Sequence, residues 1–221
     1  MLVQSTTNFL KELKANNHKS WFDAHKTEYS KAKEDFEQFI AGLIHRLSAI
    51  DPAYGLLRSK DCVFRIYRDI RFSKNKTPYK THWAAGISKG GKRVHIPGFY
   101  LHIDAEGDSF FGGGIWHPEA ALLAKIRQEI DYNYEEFSAI LKQIKQSGLF
   151  EPMQDEESLV RAPKGYSEDN PAIEFLKMRN YTISATLPQA LIHQKKADTV
   201  LLKMAQTLQP FLNFLERALD E

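Results

Sequence analysis

The sequence lacks most of the features that assign a chain directly to a functional class. Its 221 residues include one cysteine, Cys62, so neither an internal disulfide nor a cluster of thiolate metal ligands can form. No apolar run approaches the roughly 20 residues that a membrane-spanning helix needs, and the first residues lack the apolar core of a signal peptide. We therefore expect a cytoplasmic protein in a reducing compartment, with no membrane partner.

The common catalytic and cofactor motifs are missing as well. There is no G-x-S-x-G nucleophile turn and no H-E-x-x-H zinc helix, and the glycines at 112–114 are not followed by the G-K-[ST] of a phosphate loop. His95, His102, Asp104 and His117 are too scattered to predict a metal site. The sequence does not tell whether the protein has a cofactor, which oligomeric state it adopts or whether it is an enzyme.

Positive charge, by contrast, is concentrated in one part of the chain. Residues 58–93 contain eleven Lys or Arg and two acids, a formal balance of +9, whereas the whole chain carries only +2. Such an uneven distribution creates a local field that favours an anionic partner.

Within that region, residues 65–83 read RIYRDIRFSKNKTPYKTHW and combine charge with aromatic rings. The stretch holds seven basic residues, counting His82, and a single acid, Asp69. Arginine binds phosphate or carboxylate through two parallel hydrogen bonds, and lysine adds a flexible point charge. The stretch is therefore either an anion site or a solvated basic loop without a ligand.

The periodicity of apolar residues predicts an α+β fold with a central, mainly antiparallel sheet over about residues 62–116. Helical spacing of three and four precedes and follows this region, so helices from both ends of the chain should flank the sheet. No linker divides the chain, which predicts a single domain over residues 1–221. Alternating patterns predict four strands, at about residues 62–68, 81–88, 98–104 and 109–116.

Strand alternation also predicts a polar and an apolar face for this sheet. The residues expected in the core are Phe64, Ile66, Phe99, Leu101 and Ile103. Those expected on the opposite, polar face are Arg65, Tyr67, His82, Tyr100, His102 and Asp104. Gly112 and Gly114 would leave room for a ligand above the polar face; alternatively, they relieve packing against a helix and the histidines make core hydrogen bonds.

Several segments of the sequence together resemble one known family. FLKELKANN, WF, RIYRDIRFSKNKTPYKTHW, FYLHI, FGGGIW and PAIEFLKMR occur in the order typical of the DUF2461 family, and the similarity extends over nearly the whole chain. The resemblance implies a single domain without an assigned activity. It supplies no catalytic residues, so the site has to be argued from the residues themselves.

Our first hypothesis is a site for a small molecule that bears a phosphate or carboxylate, with or without catalysis. The predicted ligand-binding residues are Arg65, Arg68, Arg71, Lys76, Lys80, His82, Gly112 and Gly114. Tyr67, Tyr100 and His102 are the candidates for proton transfer. The alternatives are nucleic-acid binding, with rings such as Phe72 stacked on bases, and a protein-interaction module that docks an acidic partner through the basic loop.

Overall fold

The computed structural model describes residues 1–92 and 96–220 and shows an α+β fold. Within these residues a four-stranded antiparallel sheet is flanked by nine α-helices and one short 3₁₀ helix, Pro52–Leu56, which confirms the predicted fold class. The helices are α1 Gln4–Ala15, α2 Lys19–Ala24, α3 Lys26–Leu47, α4 Ser59–Cys62, α5 Ala120–Tyr132, α6 Tyr134–Gln146, α7 Ile173–Leu176, α8 Gln189–Ile192 and α9 Ala197–Asp220.

The sheet keeps its strands in chain order, β1-β2-β3-β4. Its strands are β1 His82–Ser88, β2 Gly98–Asp104, β3 Phe110–Ile115 and β4 Tyr181–Thr186. The first three match predicted strands to within a residue or two. The fourth was not predicted; its six residues follow the short helix α7.

By its contacts the chain divides into two compact units. The first consists of Met1–Lys92, Tyr100–Phe111 and Thr186–Leu202, and the second of Arg93–Phe99, Gly112–Ala185 and Lys203–Glu221. The assignment of the whole chain to a single domain stays a prediction.

The core of the first unit is built around Trp83 on β1. Its indole nitrogen donates a hydrogen bond to the carbonyl of Thr6 on α1 at 3.2 Å, and its ring packs 5.7 Å from that of Phe36 on α3 and 6.4 Å from that of Phe9. Helix α3 contributes the long apolar stripe that its spacing predicts, from Phe36 to Leu47. This packing holds β1 in place, and with it the residues that precede β1.

The second unit has a smaller aromatic core around Phe137 on α6. The Phe137 ring lies 5.2 Å from that of Phe175 and 5.0 Å from that of Phe214 on α9. Arg217 of α9 binds Glu136 at 2.7 Å and Glu129 at 2.9 Å, so α9 is tied to α5 and α6 at the edge of this core.

The predicted strand at residues 62–68 is wrong. Cys62 ends helix α4, and the extended residues after it pair with the chain only through isolated bridges, Val63 with Ala85 and Tyr67 with Tyr79. Arg68 donates its backbone N–H to the carbonyl of Pro78 at 2.9 Å. Because proline has no N–H to return, the ladder is interrupted there.

The irregular pairing also changes the side on which Phe64 lies. Ile66, Leu101 and Ile103 are buried, as predicted, but Phe64 is only half-buried. Its ring lies 6.2 Å from that of Tyr100, a residue on the half-exposed face of β2. Phe64 therefore belongs to the polar face and not to the core.

Candidate functional site

Residues 64–84 form an irregular β-hairpin in the first unit. Its two arms are joined by backbone hydrogen bonds from Phe64 to the Ala84 carbonyl at 2.9 Å and from Lys80 to the Ile66 carbonyl at 2.7 Å. Between the arms lie residues 69–77, called here the basic loop. The hairpin thus separates the basic stretch into a projecting loop and two arms beside the sheet.

The basic loop is closed across its base by Arg68. The half-buried guanidinium donates from Nη1 to the hydroxyl and carbonyl of Thr77, the latter at 3.2 Å, and from Nη2 to the Ser73 hydroxyl at 3.4 Å. Asn75 adds a turn in which its side-chain oxygen accepts from the Thr77 N–H at 2.9 Å. Arg68 therefore fixes the shape of the loop.

Two further cations of the loop are also engaged within it. The Lys76 ammonium donates to the Ile70 carbonyl at 2.9 Å. Arg71 binds Asp69 through two parallel hydrogen bonds of 3.0 and 2.7 Å, which lower the pKa of the Asp69 carboxyl and raise that of Arg71. Both Arg71 and Asp69 are exposed, so this pair contributes little to stability.

A different arrangement covers the half-exposed face of the sheet beside the hairpin. The His82 ring lies 4.1 Å from that of His102, which in turn stacks on Phe110 at 4.9 Å with an interplanar angle of 11°. Tyr100 completes the row, with its hydroxyl 3.5 Å from Nδ1 of His102. We call this group the sheet-face cluster; its members are Phe64, Lys80, His82, Tyr100, His102 and Phe110.

Lys80 is the cation of the sheet-face cluster. Its side chain is half-buried, with the ammonium 5.4 Å from the centroid of the Phe64 ring. Among residues 1–92 and 96–220 it has no hydrogen-bond acceptor and no carboxylate partner. Burial lowers the pKa of Lys80, and the neighbouring positive charge of Arg65 lowers it further. Within the described part of the chain, Lys80 is thus a positive charge without a counter-ion, at the rim of an aromatic surface.

The histidines of the cluster are held in the neutral form. Burial, followed by the proximity of His102 and Lys80, lowers the pKa of His82 to about 4. Burial likewise lowers the pKa of His102 and raises that of Tyr100. A neutral imidazole offers one N–H donor and one acceptor, so at neutral pH this face presents hydrogen-bonding groups without adding charge.

Tyr67 does not join the other two candidates for proton transfer. Its ring contacts those of Phe22 on α2 and Tyr79, at 5.8 and 5.5 Å. The irregular arm that carries Tyr67 does not continue the alternation of the sheet. Tyr100 and His102 remain together on β2.

Gly112 and Gly114 lie on β3 in the second unit, where the backbone of β4 passes very close to them. A Cβ at Gly112 would collide with the carbonyl oxygen of Ile183, and one at Gly114 with that of Tyr181. Gly114 also has a φ of 135°, which side-chain-bearing residues rarely adopt. Strand pairing therefore accounts for both glycines without a ligand.

Phe64 and Phe110 are members of the cluster that sequence reasoning did not select. The alternation of side chains along β3 could have identified Phe110, since this residue lies two positions before Gly112 and therefore on the same face. No such signal exists for Phe64, because its arm leaves the regular strand pattern.

Residues 1–92 and 96–220 contain neither a metal-binding cluster nor a membrane-spanning helix. Within them, no three His, Cys, Asp or Glu side chains are grouped so that they could hold a metal ion; His95 lies outside them. None of the helices formed by those residues combines the length and apolar character needed to span a bilayer.

Comparison with known proteins agrees with the resemblance seen in the motifs. A family model described as a conserved hypothetical protein, DUF2461, matches residues 5–214. No curated protein and no solved structure matches the chain. Because the matched segment covers nearly all of the sequence and includes both the basic loop and the sheet-face cluster, the chain belongs to the DUF2461 family.

Proposed function

We propose that the sheet-face cluster binds a small molecule carrying a phosphate or carboxylate group. The observation that supports this most strongly is Lys80, whose half-buried ammonium lacks a counter-charge among the described residues. A buried charge is costly unless it is paired. An anion bound beside Lys80 would remove that cost and would gain a charge-assisted hydrogen bond.

Neighbouring residues supply the rest of a plausible binding surface. Arg65 is exposed, lies within electrostatic range of Lys80 and offers a guanidinium for a second oxygen of the anion. His82 and His102 contribute neutral hydrogen-bond donors, which select a ligand by the direction of its hydrogen bonds and not by its charge. The rings of Phe64 and Phe110 give an apolar wall for the remainder of the ligand.

The first experiment is a thermal-shift screen of the wild-type protein against phosphosugars, nucleotides, organic acids and short oligonucleotides. A ligand that binds only the folded state raises the melting temperature. The proposal predicts stabilisation by small phosphorylated or carboxylated compounds. If no small anion stabilises the protein even at millimolar concentration, the proposal is wrong.

Calorimetric titration of two matched variants then locates the site. Lys80→Met keeps the length of the side chain and removes its charge, and it should weaken binding of the best anion at least tenfold, which is about 1.4 kcal/mol. Lys74→Met removes the same charge from the exposed basic loop and should bind like the wild type. Equal losses in both variants would mean that general electrostatics, and not the cluster, binds the anion.

Nucleic-acid binding is the second candidate, and one observation favours it. Phe72 is 96% exposed on the basic loop, between Arg71 and Lys74. Exposed rings flanked by cations stack on the bases of single strands. In that case Phe72→Ala would weaken binding of an oligonucleotide and Lys80→Met would not, which reverses the pattern expected for the small anion.

A further inference from the structure

Lys80 differs from the other lysines around the hairpin because its half-buried ammonium has no hydrogen-bond acceptor among the described residues. Lys76 donates to the Ile70 carbonyl and Lys92 donates to the Val63 carbonyl, each at 2.9 Å. Lys74 has no partner among the described residues but is exposed to water. Lys80 alone in this group is both half-buried and without an acceptor among them.

The surroundings of Lys80 are those that convert lysine from a structural cation into a nucleophile. An amine reacts with carbonyl groups as the free base, which is favoured by desolvation and by a second cation nearby. Partial burial of the Lys80 side chain provides the desolvation, and Arg65 provides the second cation. The lowered pKa of Lys80 agrees with this arrangement.

Arg65 has a second consequence for the choice of substrate. A guanidinium next to a reactive amine favours a molecule in which a carboxylate adjoins the carbonyl carbon, because the two groups then engage Arg65 and Lys80 together. Short 2-oxo acids have this arrangement. Simple aldehydes and ketones offer the carbonyl alone.

We infer that Lys80 forms an imine with small 2-oxo acids, with their carboxylate bound by Arg65. The inference rests on the proposed function, since the 2-oxo acid is one of the carboxylate ligands of the same cluster.

The imine step balances without an oxidant or a reductant. Nζ of Lys80 attacks the carbonyl carbon and forms the C–N bond, and the C–O bond then breaks. The oxygen leaves as water with the two hydrogens that the neutral amine gives up. Departure of the oxygen requires a proton donor, and the Tyr100 hydroxyl, 3.5 Å from Nδ1 of His102, forms a pair that can deliver one proton and recover another.

Reductive trapping tests the inference. Wild-type protein is incubated with pyruvate at neutral pH, reduced with cyanoborohydride and mapped by peptide mass spectrometry. Lys80 should be labelled at least tenfold more than Lys74 in the same molecule. Labelling of the two lysines to the same extent overturns the inference.

Two comparisons separate specific chemistry from general amine reactivity. Propanal, which has the carbonyl but no carboxylate, should show a smaller preference for Lys80 than pyruvate does. Arg65→Gln should reduce labelling of Lys80 by pyruvate more than its labelling by propanal, because pyruvate loses its carboxylate contact as well as the neighbouring cation, whereas propanal loses only the effect of that cation. Equal losses with both reagents would overturn the role of Arg65 as the carboxylate contact.

The same protein distinguishes this inference from the proposed function. Calorimetry with inorganic phosphate and succinate measures anion binding without any carbonyl chemistry. Anion binding without trapping at Lys80 leaves the proposed function in place and refutes the imine. Absence of both refutes both. Lys80→Arg, checked for folding by circular dichroism, keeps the positive charge but has no reactive amine, so the total pyruvate trapped by the protein should fall to the level set by the other lysines.

Discussion

The basic loop and Lys80 of the sheet-face cluster come from the same stretch of sequence, yet the cations of the two regions are in opposite situations. In the loop and at its base, Arg71, Lys76 and Arg68 already have oxygen partners supplied by residues of the loop. On the sheet face, Lys80 is half-buried without an acceptor among the described residues. Positive charge is dense along the whole hairpin. The cluster differs because its cation, Lys80, is half-buried and has no acceptor among the described residues.

This difference has an energetic basis. A guanidinium that already donates to the protein must exchange those bonds for bonds to a ligand, so little is gained on binding. An unpaired, partly desolvated ammonium gains the full interaction. We therefore propose Lys80 and Arg65 as the residues that bind the anion, whereas the hydrogen bonds of Arg68 close the loop.

The largest expected effect compares an apolar side chain beneath the cluster with one at the tip of the loop. Leu101 is fully buried on β2, directly between Tyr100 and His102 in sequence, and Leu101→Ala should lower the free energy of unfolding by about 2–5 kcal/mol. Phe72→Ala removes a ring that is 96% exposed and should leave it nearly unchanged. Denaturant titration measures both.

A small effect of Leu101→Ala would show that the core does not hold β2 as described. A large effect of Phe72→Ala would mean that the exposed ring packs against the protein in solution, and the loop would then lose its status as a solvated element.

An intermediate effect compares the two kinds of cation. Arg68→Met breaks charged hydrogen bonds that close the loop and should lower the free energy of unfolding by about 1–3 kcal/mol. Lys80→Met removes a half-buried charge that has no carboxylate partner in residues 1–92 and 96–220, and it should leave stability unchanged or increase it. Chemical unfolding of the two variants in parallel is the measurement. The reverse order of stabilities would contradict the division between loop and cluster.

The smallest effect concerns pH. The folded protein holds the pKa of His82 at about 4, below its ordinary value of 6.5. As the pH falls from about 6.5 to 4, the unfolded chain therefore takes up a proton before the folded protein does, and stability decreases. After allowance for the exposed part of the ring, the contribution is about 1–2 kcal/mol.

The variant His82→Gln should accordingly lose less stability than the wild type over that range. His45→Gln, at an exposed position, is the matched control and should follow the wild type. Identical pH profiles for wild type and His82→Gln would show that the imidazole titrates normally in the folded protein.

The regular elements could be predicted because their residues alternate or recur with a clear period. The stripe on α3 and the alternation of Phe99, Leu101 and Ile103 on β2 predict their own burial, which the structure confirms. Phe64 could not be placed in this way, because the pairing register changes between the Val63–Ala85 and Tyr67–Tyr79 bridges and the arm no longer follows a strand period there.

The site was predictable as a segment but not as a set of interactions. Composition indicated residues 65–83, and alternation brought His82, Tyr100 and His102 to one face. The partners of Arg68 and Lys76 depend on how the loop closes, which no local pattern encodes. Strand β4, which packs against Gly112 and Gly114, is about 70 residues away in the sequence. The local pattern therefore could not show why these two positions require glycine.

The most direct test of the central claim is the pKa of the Lys80 amine, measured by NMR on lysine labelled at Cε and Nζ and assigned with Lys80→Met. Without ligand, the pKa should lie below the ordinary lysine value of 10.5. Inorganic phosphate should raise it, because a bound anion favours the ammonium, and should leave the Lys74 signal in place. A Lys80 amine that titrates at or above 10.5, or that phosphate does not shift, would contradict the account.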